Sequence, residues 1–287
     1  MKSMAFRDIY RKQAALLIRT IPFVAKESVF ALKGGTAINL FVRNMPRLSV
    51  DIDLTYLPVE DRATSLAVID ADKLRIKESI EQGIRSARVH ASRSASENII
   101  TKLIARADDV QIKIEVTPVL RGAVYDPAIL RVVPLVENEF GYAEMQVVSA
   151  ADLYAGKIVA ALDRQHPRDL FDVRDLLAHE GISAELRRAF LVYVISHNRT
   201  MAEILAPTRK PLAEEFERNF AGMTDEPVAL ADLELARETI IMMMVANMPQ
   251  EHRHFLMGFK RGEPVWSLLG LPDAQNLPAV QWKLRNL

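Results

Sequence analysis

FALKGGTAINLFVRNMPRLSVDIDLTY, residues Phe30 to Tyr56, is the stretch on which the reading of the whole chain turns. Ser28 to Leu32 is a short apolar run suited to a buried strand, and it leads into Gly34 and Gly35. Adjacent glycines let the backbone approach a bulky anion because no Cβ stands in the way. Thr36 to Val42 has helical apolar spacing, and Met45-Pro46 stops it. A helix start of this kind turns backbone N–H groups toward phosphate oxygens. Val50 to Tyr56 then alternates, with Ile52 and Leu54 on one face and Asp51, Asp53 and Thr55 on the other. Two carboxylates on one strand face suit a hard divalent cation such as Mg²⁺. The stretch therefore predicts strand, helix, strand, with phosphate contacts at Gly34, Gly35 and the helix start that follows, and a Mg²⁺ site at Asp51 and Asp53.

Upstream, Arg7 to Thr20 predicts an amphipathic helix closed by Pro22. Downstream, a polar helical stretch covers Asp61 to Arg88, followed by strands at Asn98 to Ala105 and Val110 to Thr117. In the last of these Gln111, Lys113 and Glu115 share the polar face, which makes Glu115 a candidate third carboxylate. Leu130 to Val136 and Tyr142 to Val148 are further strand candidates. From Ser149 the pattern is helical: Ser149-x-x-Asp152 is a helix start and Pro167 suits a first turn. The expected organisation is a mixed α/β half over 1–148 and a helical half over 149–287. Pro272 to Pro278 should begin an extended tail docked by Trp266 and Trp282. Met242 to Met244 is expected in the core, and the pair His252 and His254 on the surface.

A second segment, DLYAGKIVAALDRQHPRDLFDVRDL from Asp152 to Leu176, carries a lysine followed by Arg-Asp-x-x-Asp. Together the two segments resemble the AbiEii toxin group of the DNA polymerase β-type nucleotidyltransferases. The resemblance implies an α+β fold, a mixed-sheet nucleotidyltransferase core followed by a helical C-terminal region that completes the active site. It assigns the NTP phosphates to Gly34, Gly35 and Thr36, and the metal to Asp51 and Asp53. Lys157 takes the triphosphate, and Asp169 or Asp172 orients Lys157 or the base. Arg168 is a further candidate phosphate contact, and Glu115 a candidate catalytic carboxylate. It also implies an NTP substrate, Mg²⁺ as cofactor, a tRNA 3′ end as acceptor with translation blocked, a cognate AbiEi-like antitoxin and a place in phage defence.

Composition limits the alternatives. In 287 residues, 49% are hydrophobic and 26% charged, the balance of an ordinary globular chain. Cysteine is absent, which removes disulfides and thiolate metal sites and makes a reducing cytoplasm the default compartment. Ile240 to Ala246 is the most lipid-like run but is far short of the roughly 20 residues that span a bilayer, so a buried helix and no membrane partner are expected. Lys plus Arg and Asp plus Glu are 37 each, so any nucleic-acid contact must come from a local basic patch. Several residues also have plain structural readings. Asp51 and Asp53 could be the outward charges of an edge strand. Lys157 by itself reads as a solvated helix residue, and Asp169 as a favourable first-turn acid. Arg168 could simply cover a helix surface. Two functional alternatives stand beside tRNA transfer: an NTP-binding regulator that sequesters its partner, and an enzyme that places NMP on a protein hydroxyl.

Overall fold

Asp51–Tyr56 becomes a strand in the middle of a sheet, and the rest of its half is arranged around it. The computed structural model describes residues 2–94 and 99–287, and the chain divides into two compact units, Met1–Val148 and Ser149–Leu287. In chain order the first unit contains α1 (Lys2–Val24), β1 (Phe30–Lys33), α2 (Gly34–Ala37) continued by a π-helical turn (Ile38–Val42), and β2 (Asp51–Tyr56). There follow α3 (Arg62–Gly83), β3 (Arg88–Arg93), β4 (Ile100–Ala107), β5 (Val110–Arg121), β6 (Ala128–Arg131), α4 (Pro134–Phe140) and β7 (Glu144–Val147). The sheet order is β3-β4-β5-β2-β1-β7-β6. It is mixed: β2 runs parallel to β5 and antiparallel to β1, which in turn runs parallel to β7. With a strand bonded on each side, β2 is no edge, and the edge-strand reading of Asp51 and Asp53 is excluded. Ile52, Leu54, Leu103, Ala105, Ile112 and Ile114 are buried on the apolar side, in a core to which α1 contributes Leu17 and Ile21 and α3 contributes Ile76 and Ile80.

Several elements differ from expectation for identifiable reasons. Pro22 does not end α1; it sits inside the last turn, where it removes only one N–H, and the helix reaches Val24. Leu130–Val136 is not one strand, because Pro134 at the first helical position starts α4 after the short β6. The expected helix over Asp61 to Arg88 ends at Gly83, and Arg88–Arg93 is instead β3, a strand whose alternation is masked by polar residues. The expected start of the next strand, Asn98, lies outside the described residues.

The second unit is helical: α5 (Ala150–Asp163), α6 (Pro167–His179), α7 (Ala184–Ser196), α8 (Met201–Leu205), α9 (Ala213–Asn219) and α10 (Leu230–Ile241), which runs into a π turn at Met242–Ala246. Then come α11 (Gln250–Lys260), two 3₁₀ turns (Trp266–Leu268 and Pro272–Asn276) and α12 (Pro278–Arg285). Ser149, Ser183 and Thr200 cap α5, α7 and α8 by accepting from the N–H groups of Asp152, Leu186 and Glu203. The segment after Pro272 is not extended, since Pro278 starts α12. Trp266 does dock, edge-on to Phe255 at 5.3 Å, but Trp282 is 56% exposed and α12 is held by buried Ala279 and Val280. Of the three methionines only Met244 is buried, while Met242, at the start of the π turn, is 51% exposed. His252 is buried, not on the surface, since α11 turns it inward beside Phe255 and Leu256; His254 is exposed. Among the described residues no helix is long and apolar enough to cross a membrane.

Candidate functional site

In the first unit β1 delivers the chain to Gly34, whose φ of +74° belongs to the left-handed region. A Cβ there would stand 2.8 Å from Asp53 Oδ2, so the glycine is what lets the turn close on that carboxylate. At Gly35 a Cβ would meet Arg47 Nη2 at 2.6 Å and Ser49 Oγ at 2.8 Å, because the residues before β2 fold back over the glycine backbone. Asn39 ties the same corner together: its Nδ2 donates to the Gly35 carbonyl at 2.7 Å and its Oδ1 accepts from the Arg47 N–H at 3.2 Å. Thr36 is buried, and its hydroxyl donates to the Asp51 carbonyl at 2.5 Å and lies 3.1 Å from Ser49 Oγ. Its side chain therefore anchors β2, while Lys33 supplies no side-chain cap to the first turn of α2. Ser49 stands in this corner as well.

Register places the charged groups. Lys33 pairs with Asp53 across β1 and β2, and in the parallel pair Asp51 lies beside Lys113 and Asp53 beside Glu115. Asp51, Asp53, Lys113 and Glu115 thus share one face. The Lys113 ammonium is 3.6 Å from Asp51 Oδ2 and 3.2 Å from Glu115 Oε2, and the Asp51 side chain keeps 45% of its surface exposed. Burial would lower the Lys113 pKa, but Asp51, Glu115 and Asp53 together raise it. Burial lowers that of Lys33 against the pull of Asp53. Lys113 was legible on the polar face but received no role from the sequence; its position between two carboxylates follows from a register that sequence does not reveal.

Asp51, Asp53 and Glu115 are hard oxygen donors, the chemistry a divalent cation takes. Among the described residues no three His, Asp or Glu side chains stand close enough to hold a metal ion as they are. Asp51 and Glu115 instead share the Lys113 ammonium, so a positive charge already occupies the face of three hard oxygen donors.

In the second unit Lys157 is not a solvated helix residue: it is 8% exposed on α5, with Nζ 2.9 Å from Asp169 Oδ1 and 3.0 Å from Asp172 Oδ2. Both acids are on α6 at i and i+3, one face of the helix, and both are buried. α6 begins with His166, whose Nδ1 accepts from the Arg168 N–H at 3.1 Å, then Pro167, which places Asp169 in the first turn beside the positive end of the helix dipole. Arg164 Nε and Nη2 donate to Asp169 at 2.5 and 2.9 Å. Burial alone would raise the Asp169 carboxyl, but the Lys157 charge and the Arg164 hydrogen bonds hold it well below the usual carboxylate range. Arg164 was missed by sequence reading, although it stands inside the second quoted segment. Arg168 points elsewhere: its Nε donates to the Asn219 carbonyl at the end of α9, at 3.3 Å. At the start of α5, Asp152 accepts from Ser149 Oγ at 2.7 Å and from Tyr193 Oη at 3.2 Å, and Gly156 leaves room for the Tyr193 ring.

No curated protein sequence matches the chain. Among solved structures, the nucleotidyltransferase toxin MenT4 (Rv2826c) from Mycobacterium tuberculosis H37Rv is similar in fold, with a TM-score of 0.63 at 17% identity, over 97% of this chain and 92% of that one. The family model described as nucleotidyl transferase AbiEii toxin, type IV toxin–antitoxin system, matches residues 15–286. The chain therefore belongs to the AbiEii family of nucleotidyltransferase toxins.

Proposed function

We propose that this nucleotidyltransferase moves NMP from an Mg²⁺-bound NTP to the 3′-terminal hydroxyl of an RNA, with tRNA as the acceptor and arrest of translation as the result. The reading is carried by Asp51 and Asp53 standing together on a central strand, on the same face as Glu115 and against the Gly34 turn. Gly34 and Gly35 bring backbone close to the NTP phosphates, and Thr36 serves the site by fixing the Asp51 backbone. Asp51 and Asp53 would hold the metal, with Glu115 as the third carboxylate, and a Mg²⁺ bound there would supply positive charge to the phosphates and to the acceptor hydroxyl. In the transfer the acceptor oxygen forms a bond to the α-phosphorus, the bond from that phosphorus to the pyrophosphate oxygen breaks, pyrophosphate leaves with the electron pair, and the hydroxyl proton passes to water at the exposed face. The protein's share is positioning and charge. In the second unit Lys157 is assigned to the triphosphate, with Asp169 and Asp172 holding its ammonium in place. Arg168, engaged with Asn219, is the weakest of the assigned phosphate contacts.

An AbiEi-like antitoxin as partner, a role in phage defence and action in the cytoplasm are part of the proposal; the family's description as part of a type IV toxin–antitoxin system supports the first of these. The test is incubation of the protein with bacterial RNA, Mg²⁺ and each α-labelled NTP in turn. Wild type should label the tRNA band with one of them, and Asp51→Ala should lower labelling by on the order of a thousandfold. Label in protein and not RNA would replace the acceptor. No label in either, with toxicity kept in Asp51→Ala, would replace transfer by sequestration.

A further inference from the structure

Beyond the carboxylates, the same sheet face carries cations in an arrangement that folding stability does not favour. Arg88 stands directly opposite Arg106, and Arg106 opposite Gln111. In the next row His90 faces Ile104, Ile104 faces Lys113, and Lys113 lies beside Asp51. In the third row Ser92 faces Lys102, Lys102 faces Glu115, and Glu115 lies beside Asp53. Register partners share a face, and like charges directly opposite each other in an antiparallel ladder destabilise it. The exposed Arg88 and Arg106 pair is therefore a cost that an anion laid across it would remove. Lys102 and Arg106, four residues apart on β4, span about 14 Å, too far for one small phosphate and suited to several phosphates in line.

Two clefts lie along this face. One of about 580 Å³ is lined by Arg88, Arg106, Asp109 and Gln111. Another of about 300 Å³ is lined by Gln111, Lys102, Ile104, Lys113 and Gln13 and opens on Asp51. Gln111 borders both, so the two clefts lie side by side between the arginine pair and Asp51. The acids of the β4–β5 turn, Asp108 and Asp109, also line the wider cleft, and Asp108 is already paired with Arg19. In a chain with equal numbers of acidic and basic residues, such a local patch is the means of attracting a polyanion.

We propose that this face is the track of the acceptor, a single-stranded RNA end whose phosphates lie against Arg88, Arg106 and Lys102 and whose terminal hydroxyl arrives at Asp51. The proposal rests on the RNA-acceptor reading given above.

The test uses the full chain and 5′-fluorescein-labelled bacterial tRNA, with binding followed by anisotropy across a salt series and transfer by labelled NTP. Arg88→Glu/Arg106→Glu should weaken tRNA binding at least tenfold at 0.15 M salt, lower the salt slope by about two and raise the KM for tRNA but not for NTP. Lys102→Glu should act in the same direction. Arg218→Glu, the same charge change as Lys102→Glu but on α9, should leave binding at the wild-type level. Wild-type affinity in the double variant, or an equal loss in Arg218→Glu, overturns the track while wild-type labelling of tRNA keeps the acceptor reading intact. A wild-type protein that neither binds nor labels tRNA overturns both, so the two failures are told apart by the wild type alone.

Discussion

Gly34 bears two constraints, a left-handed backbone and a carboxylate 2.8 Å from where its Cβ would be. Gly141 bears only the first, with φ +102° and open space around it. Alanine at either position should cost about 1–3 kcal/mol of stability. Only Gly34→Ala should also lose transfer, tenfold or more, because Asp53 must move. Thermal melts together with NTP labelling measure both effects, and equal losses of transfer would mean that Asp53 is not placed by this contact. Asp169 poses a different question, one of pH. Its carboxyl is held below the ordinary value of 3.8, so the unfolded chain takes up the proton at a higher pH than the folded one. The stabilisation is complete well above pH 4 and drains as pH falls through and below that value. Asp169→Asn leaves Lys157 with Asp172 as its acidic partner on α6 and should cost about 3 kcal/mol at pH 7. Between pH 7 and pH 3 the gap between wild type and variant should narrow by about 1 kcal/mol in denaturant titrations. A gap independent of pH would mean that the group titrates normally.

At the scale of elements, the pairing of β2 with β5 makes the site, because it sets Lys113 between Asp51 and Glu115. An ammonium there competes with any divalent cation. Lys113→Gln should therefore tighten Mn²⁺ binding without NTP by about fivefold, the equivalent of roughly 1 kcal/mol for charges about 4 Å apart near water. Paramagnetic titration reads this directly, and weaker binding in the variant would make Lys113 a support of the site and not a competitor. The individual strands were legible because one side of each is apolar: Ile52 with Leu54, and Ile112 with Ile114, declare the alternation that puts the acids on the other side. Which strands neighbour each other was not legible, since hydrogen-bonded pairing leaves no mark in a single sequence. β3 was missed for a related reason. Arg-Val-His-Ala-Ser-Arg has one buried side chain, Val89, and an end strand of the sheet needs no more. In the second unit the acids at 169 and 172 were visible at helical spacing, but that both close on Lys157 depends on the packing of α5 against α6.

At the scale of the molecule, the change from alternating to helical periodicity near Ser149 coincides with a division into two compact units. Each has its own interior: Ile52, Leu54 and Ile114 lie in the sheet unit, and Ile158, Leu170, Phe171 and Phe190 in the helical one. A family defined over residues 15–286 spans both, so neither is an appendage of the other. The helical half was read only as helices because amphipathic periodicity gives a face but not a partner. Its order is held instead by caps such as Ser183 and by long reaches such as Lys283 Nζ to the His197 carbonyl at the end of α7. Separate interiors have a measurable consequence. Ile158→Ala empties a fully buried site on α5 and should cost about 2–5 kcal/mol. Hydrogen exchange should then speed up in Ser149–Leu287 while β2 and β5 keep wild-type protection, as expected when subglobal opening follows compact units. Ile114→Ala should reverse the pattern. Uniform acceleration over all strands and helices in either variant would mean that the chain opens as one cooperative body, and that the division seen in its contacts is not a division in its energetics.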